Sequence, residues 1–212
     1  MFELLMFDLD GTLIDSRKDI AASVNLALDE LSMPGREAVE VYGYIGGGVH
    51  NLMRKSMQAG REDLLEKAVD LFWANYKDHV LDSTTLYPGV YDMLEKLSGL
   101  KMAVVTNKPC LHSRLILQGL DITKYFISIQ GWKTEVRVKP DPDMLYRAME
   151  EAGVPPEESV MIGDSVADVL ASRAAGVKCC AVGYGYGVRE KVLEAAPDYF
   201  VENVGDIPGI MT

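Results

Sequence analysis

Positive charge is what this chain lacks. Lys plus Arg number 21 against 32 Asp plus Glu, a formal net charge of −11. A field of that sign repels phosphate backbones and anionic lipid, which disfavours nucleic-acid and membrane-surface roles. It also repels small anionic substrates at long range, so any phosphate site must be made locally positive by a metal or a few placed cations. Cysteine is scarce. Cys110, Cys179 and Cys180 are an odd, low set with no CxxC and no Cys/His cluster, which excludes a disulfide framework and a zinc site and points to a reducing compartment. The pair Cys179–Cys180, inside an apolar run, is expected to be two small buried strand residues. No segment approaches the ~20 apolar residues of a membrane span. The start, MFELLMFDLDG, is short, carries Glu3 and Asp8, and lacks a basic region and a cleavage site, so it does not read as a signal peptide. The expected compartment is the cytoplasm. There is no internal repeat and no GxxxxGK[ST] phosphate loop, and Gly183-Tyr184-Gly185-Tyr186-Gly187 has the wrong spacing for a dinucleotide fingerprint.

What is present is an ordinary globular composition, 48% hydrophobic and 25% charged over 212 residues. That is one full domain, or one with a modest insertion. Short continuous apolar runs recur at Leu4–Phe7, Met102–Val105, Val160–Ile162 and Val177–Val182, with a weaker one at Phe126–Ile129, as buried parallel strands require. Helical stripes lie between them: Val90, Met93, Leu94, Leu97; Met144, Leu145, Ala148, Ala152; and Val166, Val169, Leu170, Ala174, the last ending at Gly176. The alternation predicts an α/β fold, a doubly wound parallel sheet. Residues 15–83 break it with helical periodicity alone. Ser16 and Asp19 read as an N-cap and a first-turn acid, and three apolar stripes follow, the second after Gly46-Gly47-Gly48. This predicts a core of residues 1–14 and 84–212 and an inserted all-α helical-bundle cap over 15–83. The C-terminal piece from Phe200 reads as a final strand and a short polar segment.

Ligands of open α/β sheets bind outside the carboxyl ends of the strands. The residues expected there are Asp8, Asp10, Thr106 and Asp164. Lys139 precedes Pro140, which is expected to open a helix, and Asp168 is four residues past Asp164 and would share its face if a helix starts there. Converging carboxylates resist ionisation. A divalent cation resolves the conflict, and hard oxygen ligands suit Mg²⁺. Lys139 and Thr106 would then donate to a phosphoryl group. Each of these residues alone is more simply a turn former, a cap or a surface group; their joint order along the chain is what carries chemistry.

In that order the motifs are Phe7-Asp8-Leu9-Asp10-Gly11-Thr12, Thr106-Asn107-Lys108, Lys139-Pro140 and Gly163-Asp164-Ser165-Val166-Ala167-Asp168. They resemble the haloacid dehalogenase superfamily, and within it the phosphatases with a helical cap, over essentially the whole chain. The resemblance implies that Asp8 is the nucleophile that forms an aspartyl-phosphate and Asp10 the general acid and base. It implies that Mg²⁺ is held by Asp8, the main-chain carbonyl of Asp10 and Asp164, with Asp168 supporting the metal or Lys139 from behind. Thr106, Lys139 and Asn107 would bind phosphate. An acid at Asp10 separates phosphate-ester hydrolysis from the superfamily's carbon–halogen branch, whose leaving group needs no proton.

Leu86-Tyr87-Pro88-Gly89-Val90, Thr106-Asn107-Lys108-Pro109 and the glycine–tyrosine run resemble the phosphoglycolate phosphatase branch, whereas Gly131–Val138 departs from it. Hydrolysis of 2-phosphoglycolate is therefore the expected activity. A pyrophosphatase, a sugar-phosphate phosphatase or phosphomutase, and a non-enzymatic phospho-acceptor are the alternatives. The leaving group would be chosen in the cap, with Lys18, His50 and Arg54 as candidates and Asn51 beside them; His79 and His112 read as surface residues. The expected partner is a small phosphorylated metabolite, with no nucleic acid and no membrane, and the chain is expected to be a monomer or homodimer.

Overall fold

The computed structural model describes residues 1–134 and 136–211. In chain order the elements are β1 (Leu4–Phe7), β2 (Ile14–Asp15), α1 (Arg17–Glu30), α2 (Ala38–Tyr42), α3 (Val49–Ser56), α4 (Leu65–Asp78), β3 (Thr85–Leu86), α5 (Val90–Lys96) and β4 (Lys101–Pro109). There follow α6 (Cys110–Gly119), β5 (Ser128–Trp132), α7 (Asp143–Ala152), β6 (Ser159–Gly163), α8 (Val166–Ala175), β7 (Lys178–Val182), α9 (Arg189–Glu194), β8 (Tyr199–Val201) and α10 (Ile207–Met211). They divide into two compact units, Met1–Asp15 with Leu86–Thr212, and Ser16–Thr85. No helix among the described residues is long and apolar enough to cross a membrane.

The first unit is built on a six-stranded sheet of order β5-β4-β1-β6-β7-β8, parallel throughout its registered pairs. The doubly wound sheet expected from the alternating runs is what forms. β1 reads LLMF, is buried along its whole length and pairs on both sides, Phe7 with Val104 and with Ile162. An uninterrupted apolar run has no wet face, and a central strand covered on both faces is where such a run is stable. Leu4, Met6, Ala103, Val105 and Met161 turn to one face, where Met144, Leu145 and Ala148 of α7 and Ala171 and Ala175 of α8 cover them. The chain lays β4 and β5 on one side of β1, then crosses to β6, β7 and β8 on the other. That reversal opens a crevice at the carboxyl ends of β4, β1 and β6.

The second unit is helical. Val24, Ala27 and Leu28 of α1 and Ala68, Phe72 and Tyr76 of α4 are buried, with the Phe72 and Tyr76 rings stacked at 5.4 Å. Asp19, 2% exposed, accepts three hydrogen bonds on Oδ2, from the Ser83 and Thr84 N–H groups and the Thr84 hydroxyl, at 2.7–3.0 Å.

Several local expectations change. β4 runs through Thr106-Asn107-Lys108 to Pro109, which pairs with Trp132 after a register shift, so the motif lies inside the strand rather than after it. β5 starts at Ser128, two residues later than the apolar run. α7 starts at Asp143 with Pro142 at its N-cap, so Pro140 lies in the turn before it; the Lys139–Pro140 bond is cis. Ser16 occupies the N-cap position of α1 without a side-chain capping bond. α2, of five residues, has no periodic signal long enough to read. His112 is buried on α6 rather than at the surface, and His79 pairs with Asp82 at 2.7 Å. The final segment is not polar: Ile207 and Met211 of α10 are buried.

Candidate active site

Asp8 leaves the end of β1, its N–H bonded to the Ile162 carbonyl at 2.8 Å. Its Oδ1 accepts from the Leu9 N–H at 2.7 Å and lies 3.1 Å from the Lys139 ammonium. Oδ2 takes no hydrogen bond among the described residues. Burial pushes the Asp8 carboxyl up to about 6; Lys139 and the Leu9 N–H oppose the rise, and Asp168 and Asp10 add to it. After Asp8 the backbone turns so tightly that the Leu9 carbonyl accepts from the Thr12, Leu13 and Ile14 N–H groups. Gly11 makes that turn possible. Its φ is +83°, and a Cβ there would lie 2.3 Å from Asp164 Oδ2.

Asp164 follows β6 and is 4% exposed. It precedes Ser165, the N-cap of α8, so it is not on the helix, and the shared helical face expected with Asp168 is not what relates them. Its Oδ2 accepts from the Tyr186 N–H at 2.6 Å and the Gly187 N–H at 3.1 Å. Burial, then the Asp8 and Asp168 charges, push its carboxyl up to about 8 against those two bonds. No lysine or arginine pairs with it among the described residues.

Lys139 is 3% exposed and uses its ammonium on the Val105 carbonyl at 2.7 Å, Asp168 Oδ1 at 2.6 Å and Asp8 Oδ1 at 3.1 Å. Burial alone would lower its proton affinity; the Asp168 and Asp8 carboxylates outweigh it and hold the ammonium above the usual lysine value. Asp168 is the N3 residue of a capping box: its Oδ2 accepts from the Ser165 N–H and hydroxyl at 3.0 and 2.6 Å. Both of its oxygens are thereby engaged. Asp8, Asp164 and Asp168 each place an oxygen within 4.8 Å of the others. With Asp168 committed to Lys139 and Ser165, the oxygens open to a cation belong to Asp8 and Asp164. Two carboxylates with raised proton affinities, Asp8 partly buried and Asp164 buried, the latter without a lysine or arginine partner among the described residues, are the donor set a hard divalent ion fits.

Thr106 is buried on β4, its Oγ1 accepting from the Lys108 N–H at 3.2 Å. Asn107 does not aim its amide at open space. Nδ2 donates to the Lys139 carbonyl at 2.9 Å and Oδ1 accepts from the Lys139 N–H at 2.8 Å, so this side chain holds the lysine backbone instead of meeting a phosphate. Lys18, His50 and Arg54 lie on α1 and α3 of the other unit, each exposed, with His50 Nε2 3.4 Å from Glu66 Oε2. In the segment 131–138, Arg137 pairs with Asp141 and Asp143, and residue 135 lies outside the described residues.

Three participants escaped the sequence reading. Lys108 Nζ lies 2.9 Å from both Asp10 oxygens, 98 residues away in the chain, and no local pattern encodes that pairing. The Tyr186 and Gly187 N–H groups belong to a run that looks like a failed fingerprint; its glycines serve as clearance. A Cβ on Gly185 would lie 2.3 Å from Asp164 Cβ, and one on Gly187 1.9 Å from the Asp164 carbonyl oxygen. The Tyr184 hydroxyl ties the run to the first loop through the Thr12 carbonyl at 2.9 Å. Ser165 was readable, since Ser-x-x-Asp opening an apolar stripe is a capping-box spacing.

The chain is similar to known proteins in both sequence and fold. Residues 5–182 match the family model described as haloacid dehalogenase-like hydrolase. A phosphoglycolate phosphatase of Pseudomonas aeruginosa is 39% identical over 96% of this chain and 78% of its own length. Another, from Nitrosococcus oceani, is 32% identical over 99% of this chain and 96% of its own. A crystal structure of a predicted phosphoglycolate phosphatase from Haemophilus somnus superposes with a TM-score of 0.89 at 30% identity, covering 100% of this chain and 98% of that one. With the two strand-end carboxylates, the buried lysine and the capped Asp168 in one crevice and the match spanning nearly all of the sheet, this chain belongs to the haloacid dehalogenase-like hydrolases.

Proposed function

We propose that this protein hydrolyses 2-phosphoglycolate to glycolate and inorganic phosphate through a phosphorylated Asp8. The reaction class, phosphoric monoester hydrolysis, is that of the relatives it matches. The observation that carries the reading is Asp8 itself, a partly buried carboxylate at the end of the central strand, with one oxygen held by Leu9 and Lys139 and the other open. The open oxygen attacks phosphorus. The ester P–O bond breaks, its electron pair stays on the leaving oxygen, and Asp10 supplies the proton. Water then loses a proton to Asp10 and attacks the same phosphorus; the bond to Asp8 breaks and phosphate leaves. Lys139 and Thr106 hold the transferring group. Asp8, Asp164 and the main-chain carbonyl of Asp10 would hold Mg²⁺, which when bound would supply charge stabilisation to the phosphoryl oxygens. Asp168 keeps Lys139 in place. The helical unit serves as the cap, a role that belongs to this proposal. So does a cytoplasmic setting, which the three free cysteines suit.

The test is phosphate release, with and without Mg²⁺, from 2-phosphoglycolate, pyrophosphate, acetyl phosphate and several sugar phosphates. The expected result is metal-dependent release with kcat/KM for phosphoglycolate at least ~10-fold above the others, a transition-state preference of about 1.4 kcal/mol. Asp8→Asn should abolish turnover in a folded protein, and Asp10→Asn should lower kcat by ~10²–10⁴. A flat profile would overturn the substrate assignment, and an active Asp8→Asn would overturn the nucleophile.

A further inference from the structure

The groups proposed to hold the ion come from two chain segments, Asp8 and the Asp10 carbonyl from the loop after β1 and Asp164 from the end of β6. The gap between them is set by backbone packing. A Cβ on Gly11 would lie 2.3 Å from Asp164 Oδ2, and one on Gly185 would lie 2.3 Å from Asp164 Cβ and 2.4 Å from the Gly11 carbonyl oxygen. Gly185 is therefore wedged against both segments at once. A loop built on Gly183, Gly185 and Gly187 has little stiffness of its own, because glycine restricts φ and ψ least. The two side chains that flank Gly185 supply it. The Tyr184 hydroxyl donates to the Thr12 carbonyl at 2.9 Å, and its ring meets Tyr87 edge-on at 4.9 Å. Tyr87 gives its N–H to the Leu13 carbonyl at 3.0 Å. The Tyr186 hydroxyl makes longer contacts, 3.4 Å to the Ile14 carbonyl and 3.3 Å to Asp15 Oδ1, while the N–H of the same residue holds Asp164 Oδ2 at 2.6 Å. Three consecutive carbonyls of the first loop are thus met by three tyrosines, and two of these sit on either side of the glycine that touches Asp164.

We propose that Tyr184, with Tyr186 as the weaker second brace, is a positioning residue that makes the metal site selective for ion size, favouring a small divalent ion such as Mg²⁺ over a larger one such as Ca²⁺. Contact through glycines lets the two segments approach as closely as backbones can, and the hydroxyls keep them there. A small ion is satisfied by one or two carboxylates and needs near-ideal ligands at about 2.0–2.1 Å, whereas a large one takes about 6–8 oxygens and accepts irregular ones at about 2.3–2.6 Å. A tight, braced cage with few protein ligands therefore costs the large ion more, and a slack cage costs the small ion more. The bracing matters for the ion only if Asp8, the Asp10 carbonyl and Asp164 are its ligands, as proposed above; it adds which side chains hold those ligands to one ion size.

The experiment titrates the wild type, Tyr184→Phe and the Tyr184→Phe/Tyr186→Phe double variant with MgCl₂ and, separately, CaCl₂ by calorimetry at fixed pH and without substrate. Tyr→Phe removes a hydroxyl, keeps the ring and leaves both N–H groups on Asp164. The wild type should bind Mg²⁺ more tightly than Ca²⁺. Tyr184→Phe should lose ~10-fold in Mg²⁺ affinity, the lower end of the effect of losing a group that orients a metal ligand, and less in Ca²⁺ affinity. The Mg²⁺/Ca²⁺ preference should narrow by at least ~3-fold, and further in the double variant. Equal losses for the two ions, as a general loosening of the fold would give, or unchanged Mg²⁺ affinity would overturn the proposal, as would a wild type that prefers Ca²⁺. Should Tyr184→Phe not fold, Tyr186→Phe alone must narrow the same ratio, and an unmoved ratio there refutes the bracing. A folded wild type that binds neither ion would instead overturn the metal assignment and the bracing with it, so the two failures separate in the wild-type titrations.

Discussion

Lys139 has its ammonium on three protein oxygens at once, one of them on the carboxylate proposed to attack. Removing it leaves the partly buried Asp8 and the buried Asp168 without their lysine counter-ion, and breaking one side of a buried pair costs about 3–5 kcal/mol. Lys139→Met should therefore lower unfolding free energy by that order in urea melts, and should lower kcat by at least ~10², the scale for losing one donor to a developing anion. Adding Asp168→Asn should recover part of the stability and none of the activity, because it removes an orphaned charge without restoring a cation. If the double variant were no more stable than the single one, the ion pair would not be what stabilises this corner. Asn107 shows the same logic on the main chain: its amide brackets the Lys139 N–H and carbonyl, so lysine position is set from both ends.

Two elements aim the carboxylates. The first turn of α8 is closed by Ser165 and Asp168 bonding reciprocally, which fixes the Asp168 oxygen that Lys139 needs. Ser165→Ala removes that cap and should cost ~1 kcal/mol in thermal or chemical unfolding. The Gly185–Gly187 loop is the other. Its two N–H groups hold Asp164 Oδ2, and the glycines let the backbone approach to distances no Cβ permits. Gly187→Ala would place a carbon 1.9 Å from a main-chain oxygen, so the loop must withdraw from Asp164. Mg²⁺ affinity, measured by calorimetry, should fall ~10–100-fold, the usual effect of losing a group that orients a metal ligand. A variant that bound Mg²⁺ as the wild type does would show that the loop does not orient Asp164.

At the scale of the whole molecule, a small part of the acidic excess is held away from water. Asp8 is pushed up to about 6 and Asp164 to about 8, both above the ordinary aspartate value of 3.8. The folded state therefore binds protons that the unfolded chain has already released. That contribution to stability is fully present below about pH 4 and is lost as pH rises through about 6 and then about 8. A divalent ion that binds the ionised carboxylates acts in the opposite sense and competes with the same protons. In chelator the melting temperature should fall between pH 5.5 and 8.5, and the rise on adding Mg²⁺ should be larger at the higher pH. An increment independent of pH would mean that these two carboxylates do not hold the ion.

The amino-acid order was enough for the sheet, because Leu4–Phe7, Val160–Ile162 and Cys179–Val182 are uninterrupted apolar runs with only a two-face-covered strand available to them. It was enough to expect Asp8, Asp10, Thr106 and Asp164 near strand ends and to set Lys139 and Asp168 beside them, with the family following from the order of the motifs. Short elements were not legible: α2 is too brief for a period, and the run of β4 through Lys108 depends on a partner, Trp132, that lies in β5. Nor were the partnerships. Lys108 with Asp10, Asn107 with the Lys139 backbone and the Tyr186 and Gly187 N–H groups with Asp164 join residues 22 to 98 positions apart. Periodicity reports which face a residue turns inward, a local property of the backbone. Which two side chains then meet is decided by strand order and loop approach, and only the folded chain sets those.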